Sequence, residues 1–256
     1  MKPRLIILIP ILFILISCSA KTEQNADTTK NSIELNTAVS YEIESRNYSK
    51  DEINITYPKI VNLDNDTYED EINELIQKEA IKIIESYSLE EGNLDVDYRV
   101  TFRSNDFLSI QYLGSFFSTG AAHPLNIFYT SNIDLKKAEK VKLSDLLEIN
   151  EAFVEKFKQG NYKSYDDNLN LLEEGVIEEI WSMYSDADLL HYLQQADEAG
   201  QINQLGTFSY ITQDSIGVSI SIPHAVGDHL EMEIGFVDVS ENVKKDSVAL
   251  YGLVEE

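Results

Sequence analysis

Hydrophobic spacing changes period along this chain of 256 residues in blocks, and no other feature narrows its fold so far. Apolar residues alternate at Val39, Tyr41 and Ile43 and again at Ile53, Ile55 and Tyr57, the period of half-buried strands, with Pro58 expected to end the second. Asp64, Asn65, Asp66 and Thr67 then offer helix caps ahead of Ile72, Leu75, Ile76, Ala80, Ile83, Ile84 and Tyr87, spaced three and four apart. Strand-like runs follow at 94–102, 107–117 and 126–135, an expected antiparallel meander. Between 143 and 200 the spacing is helical and no proline interrupts it; runs at 206–212, 217–222 and 230–239 return to strand, the last alternating through Met232, Ile234 and Phe236. Strands and helices segregated in this way predict an α+β fold, an antiparallel sheet meander packed against helices, and not a doubly wound parallel sheet.

The first twenty residues carry an address. Lys2 and Arg4 precede an apolar run from Leu5 to Ser17, directly followed by Cys18. As a helix that run would be about 20 Å long, short of the roughly 30 Å hydrocarbon core of a bilayer, which suits an export signal better than a permanent span. A small residue before the chain's single cysteine has the form of a lipobox, so residues 1–18 are expected to be a lipoprotein signal peptide and Cys18 to take the lipid. Residues 19–36, almost devoid of large apolar side chains, read as a tether with a reach of about 25 Å. Residues 37–256 are then one extracytoplasmic unit, with 37–149 and 150–256 as candidate subregions.

Forty-five acidic residues oppose twenty basic ones, a net charge of −25 that becomes more negative once Lys2 and Arg4 are cleaved away. Nucleic acid is excluded as a partner, because phosphate neutralisation needs clustered Lys and Arg. An acidic surface attracts cationic ligands instead, or serves solubility alone.

Several motifs follow one another in a telling order: Tyr57-Pro58, Ile72-Asn73, Leu108-Ser109-Ile110, Gly120-Ala121-Ala122-His123-Pro124, Ser131-Asn132-Ile133-Asp134-Leu135 and Lys142-Leu143-Ser144-Asp145-Leu146-Leu147. This order resembles the extracytoplasmic domain of RsiV-type anti-sigma factors, which also precedes the catalytic domain of PdaC-type peptidoglycan deacetylases and occurs alone in lipoproteins. The resemblance runs from about Ser40 to Phe236. It is most specific at the His-Pro turn, where Ala121 stands in place of the second glycine of the family's Gly-Gly-Ala-His-Pro. It implies a binding domain, with lysozyme as the ligand of the RsiV-like sensors. With only four residues before the apolar segment, a cytoplasmic sigma-binding region is not expected, and neither is a deacetylase domain.

The residues suggest binding more than catalysis. The expected contact surface is the turn Ser118 to Pro124, including Gly120 and His123, with His224, Asp228 and His229 of the Pro223 to His229 segment. The expected partners are a cell-wall glycan or a cationic protein such as lysozyme, with membrane attachment through Cys18; no cofactor and no catalytic residue are assigned. A metal-dependent wall hydrolase using His123, His224, Asp228 and His229, or an accessory subunit docking through its acidic face, stay as alternatives, although the histidine spacing fits no zinc signature. Asp64, Asp66 and Asp70 imitate a calcium loop without its glycine or final glutamate, and suit the positive end of the helix instead. Glu173, Glu174, Glu178 and Glu179 read as a solvated helix face. Ser115 and Ser118 lie near His123 but in no nucleophile elbow. Phe116, Phe117, Tyr112 and Tyr129 could line a surface or belong to the core.

Overall fold

A computed structural model describes residues 39–63, 65–86, 92–164, 171–172, 175–198, 206–245 and 247. The signal segment, Cys18, the tether, Asp64, Glu173 and Glu174 lie outside them. The contacts of Thr37–Glu256 form one unit. Among the described residues no helix is long and apolar enough to cross a membrane.

Six strands form the first sheet in sequence order: β1 (Glu42–Lys50), β2 (Ile53–Val61), β3 (Gly92–Arg103), β4 (Phe107–Ser118), β5 (Leu125–Asp134) and β6 (Glu139–Val141). All neighbours are antiparallel except β2 and β3, which pair in parallel over only three residues, 53–55 with 94–96. The parallel step follows from α1 (Asp66–Ile81), which carries the chain from β2 back to the start of β3. Its cap is Asn65, whose side-chain oxygen accepts from Tyr68 N at 3.3 Å, one of the four capping residues foreseen. Pro58 does not end β2. The strand continues to Val61 along β1, and because β3 has already diverged, the missing N–H of Pro58 costs no bond on that side.

The inner face of this sheet carries Ile55, Leu94, Val96, Ile110, Tyr112, Tyr129 and Ile133, buried together with Ile72, Ile76 and Ala80 of α1. Tyr112 and Tyr129 stack at 4.6 Å, and Tyr129 donates to the Ala80 carbonyl at 2.6 Å, so both are core residues. Lys140 on β6 reaches Glu79 of α1 at 2.6 Å in a nearly buried ion pair.

A second sheet has the order β7 (Asn161–Lys163), β10 (His229–Gly235), β9 (Ser215–Ser221), β8 (Phe208–Ile211). One face presents Ile216, Val218, Ile220, Leu230, Met232 and Ile234 to a core shared with α2 (Leu143–Leu146), α3 (Glu151–Lys158), α4 (Val176–Ser182) and α5 (Asp186–Gln194). Glu178 and Glu179 are exposed in the first turn of α4, a solvated face as foreseen. The strand expected to run through Val239 stops at Gly235. Phe236–Val239 is a short helix, α6, and burying both Phe236 and Val239 requires a spacing of three that a strand cannot provide.

The face of the second sheet toward the first combines the aromatic rings of Phe208 and Tyr210, which join the first sheet's core, with polar groups. Gln111 donates to Glu231 at 3.3 Å and accepts from Arg99 Nε at 2.9 Å, and Tyr210 donates to Glu233 at 3.1 Å. Asp197, 1% exposed, accepts from Ser209 N at 2.6 Å, Ser209 Oγ at 2.7 Å and Leu143 N at 2.7 Å, fastening the start of α2 to β8. Burial pushes its carboxyl above the usual range, and these donors oppose the shift.

Candidate binding site

The β4–β5 hairpin ends in an exposed turn. Ser118 closes β4, Ala121 N donates to the Ser118 carbonyl at 3.0 Å, and Gly120 takes φ +86°, the left-handed conformation that glycine adopts without strain. A Cβ at Gly120 would meet nothing within 4 Å, so the requirement there is conformational and not steric. Residues 119–125 all face solvent, His123 and Pro124 among them. Such exposure is unusual for a segment of low polarity and gives the core nothing.

The second candidate segment folds against this turn. His224–Val226 form a 3-10 turn, Gly227 follows at φ +116° and Asp228 at φ +72°, and Ile222 N closes the loop onto the Asp228 carbonyl at 2.9 Å. Asp228 then reaches in two directions. Its Oδ2 accepts from Asn126 N at 2.8 Å and Asn126 Nδ2 at 3.1 Å, while Oδ1 lies 2.8 Å from His224 Nδ1. A carboxylate acceptor requires the hydrogen on Nδ1, which leaves Nε2 of a neutral His224 as an acceptor.

Together these contacts enclose a recess of about 350 Å³. Phe116, Ala121, Ala122 and Leu125 form its apolar lining, and Ser118, His123 and His224 supply polar groups at the same wall. Phe116 is 8% exposed and also belongs to the core, whereas its neighbour Phe117 is 39% exposed. An imidazole beside an apolar wall can bind a hydroxyl or amide group while the wall takes an alkyl or ring surface.

Not every expected site residue joins this recess. Asp228 acts behind it as a tie. His229 is 5% exposed, stacked on Phe128 at 5.0 Å, with Nε2 3.5 Å from Glu231 Oε1 between the sheets. The reason is alternation: His229 shares the face of Glu231 and Glu233 on β10, which turns away from the loop that precedes it. The four-ligand arrangement of His123, His224, Asp228 and His229 is therefore not assembled, and among the described residues no three His, Cys, Asp or Glu side chains converge as a metal site. Ser115 sits opposite Asn126 in the β4–β5 pair. Asn126 and Leu125 lie beyond the expected turn and were not foreseen as parts of the site; the only sequence signal for Asn126 was its place two residues after Pro124.

The family model described as Deacetylase PdaC matches residues 42–126, from β1 to the start of β5, and so includes the His-Pro turn but not the Pro223 to Asp228 segment. No curated protein matches the chain. Among solved structures, a DUF3298 family member from Bacteroides fragilis NCTC 9343 is similar at a TM-score of 0.53 and 14% identity, over 85% of this chain and 98% of that one. A DUF3298 family protein from Pseudomonas aeruginosa PAO1 aligns at a TM-score of 0.48 and 15% identity, over 81% of this chain and 95% of that one. The chain thus shares the fold of the Bacteroides fragilis DUF3298 structure.

Proposed function

We propose that this chain is a non-enzymatic binding module of the bacterial cell envelope, held at the outer face of the membrane by lipid on Cys18, whose ligand is a cell-wall glycan or a cationic wall-directed protein such as lysozyme. The observation that carries this reading is the recess itself. Two segments 102 residues apart in the chain are tied together by Asp228 and Asn126 so that His123 and His224 meet one solvent-open apolar wall. Side chains held this way at an exposed turn serve contact with a partner. The match of residues 42–126 to the Deacetylase PdaC model supports a cell-wall setting. The net charge of −25 supports a cationic partner, through faster encounter and selectivity more than through affinity.

The test is calorimetric titration of the full chain, in mild detergent, with hen lysozyme at low and moderate salt, followed by soluble wall-glycan fragments. Micromolar or tighter binding to either that survives moderate salt and is weakened at least tenfold by His123→Ala or His224→Ala is expected. Binding to neither, or binding that vanishes with salt and ignores both substitutions, would overturn the reading.

A further inference from the structure

A second recess, of about 400 Å³, lies away from the His-Pro turn, between β1, β2 and the flank of α1. Arg46 and Lys59 line it from the strands, Asp70 and Glu74 from the helix, and Tyr57, 8% exposed, closes it toward the core. We propose that this recess binds a zwitterion, a ligand carrying one carboxylate and one ammonium group, such as the free ends of a short peptide.

The walls are fixed. Asn73, one turn along α1 between the two carboxylates, spends its whole amide on β2, accepting from Ile60 N at 2.8 Å and donating to the Ile60 carbonyl at 2.8 Å. With Ile72 and Ile76 directed into the core, Asp70 and Glu74 are held on the helix flank that faces the strands. They stand four residues apart, the spacing at which like charges repel on a helix surface unless a cation lies between them.

The cations of the strand wall do not pair with the carboxylates of the helix wall. Among the described residues, Asp70, Glu74 and Lys59 form no ion pair or side-chain hydrogen bond, and Arg46 is engaged only along its own strand, with Glu44 at 2.6 Å and the Ser45 carbonyl. In a chain with more than two acidic residues for each basic one, a recess with Lys59 and the Glu44-paired Arg46 on one wall and two carboxylates on the other is a departure from the general surface. A ligand of single charge would meet repulsion from one wall, whereas a zwitterion lying across the recess meets attraction from both.

The experiment titrates the full chain with the dipeptide L-alanyl-L-alanine, its N-acetyl form and its C-terminal amide, following heat or amide chemical shifts. Saturable binding of the free dipeptide is expected, at least fivefold weaker for either blocked form. Lys59→Gln should abolish the preference for dipeptide over amide, and Glu74→Gln the preference for dipeptide over the N-acetyl form. Neither side chain has a bond to lose, so both variants keep the wild-type melting temperature. No saturation into the millimolar range, equal binding of the three forms, or variants that leave both preferences intact would overturn the proposal. Lysozyme or glycan binding at the other recess is read separately and does not bear on it.

Discussion

His224 Nδ1 lies 2.8 Å from Asp228 Oδ1, and the second oxygen of the same carboxylate takes the backbone and side-chain N–H groups of Asn126. One side chain therefore orients an imidazole at the surface and anchors the first residues of β5. Asp228→Ala would leave the partly buried Asn126 N–H without its acceptor, at a cost of about 1–3 kcal/mol. His224→Ala, which removes only an exposed ring, should cost less than about 0.5 kcal/mol. Urea unfolding separates the two. If the recess is the contact surface, both substitutions weaken partner binding although only the first lowers the urea midpoint.

Tyr210 lies across Gly217, its partner in the β8–β9 pair, so closely that a Cβ at 217 would come within 2.1 Å of the ring. The ring cannot swing aside freely, since its hydroxyl is tied to Glu233. Gly217→Ala should destabilise the fold by about 1–3 kcal/mol through overpacking. In a Tyr210→Leu background the same substitution should cost clearly less, a coupling that a double-mutant cycle in urea would measure.

Long strands were legible because extended runs of strand-forming residues bounded by turn residues outvote chance, and β3, β4 and β5 stand where the strand-like runs at 94–102, 107–117 and 126–135 place them. The three-residue strands β6 and β7 carry too few positions to show a period, and the partner of β7, β10, lies far from it in the sequence. Partition into two sheets was equally hidden. It depends on the polar face of β10, where Glu231 and Glu233 look like solvent positions but meet Gln111 and Tyr210. At the site, the His-Pro turn was visible as a motif, and the meeting of His123 with His224 required knowing that β5 begins beside the loop before β10. His224 lines the recess and His229 does not, because the two, five residues apart, sit on either side of a strand boundary, one exposed and the other buried.

Lys142 at the start of α2 binds Glu198 by a hydrogen-bonded ion pair, and Lys82 approaches the same carboxylate at 3.9 Å. The Lys142 ammonium holds the Glu198 carboxyl below its ordinary range. A lowered carboxyl binds its proton less readily folded than unfolded, so its contribution is present above the unfolded Glu value of about 4.3 and is lost as pH falls through the folded value. Glu198→Gln should therefore be less stable than wild type at pH 7 and converge with it in acid below about pH 4. Thermal unfolding across pH 3–7 checks this; a gap that persists in acid would mean that the side chain acts through packing and not charge.

Alkali should unfold the protein through its buried phenols. Burial pushes Tyr41 up to about 12, against the pull of Arg103, and raises Tyr112 and Tyr210 as well, Tyr210 further through the carboxylates of Glu231 and Glu233. In the unfolded chain these groups ionise near pH 10. Above that value the unfolded state holds fewer protons than the fold, so stability declines with rising pH, by up to about 1.4 kcal/mol per pH unit for each phenol until its folded-state value is reached. Tyrosinate absorbance from these three side chains should then rise together with the loss of ellipticity, and not ahead of it. Tyr41→Phe should flatten the decline between pH 10 and 12 by one proton's worth. A complete tyrosinate signal with the ellipticity intact would show instead that the phenols titrate within the fold.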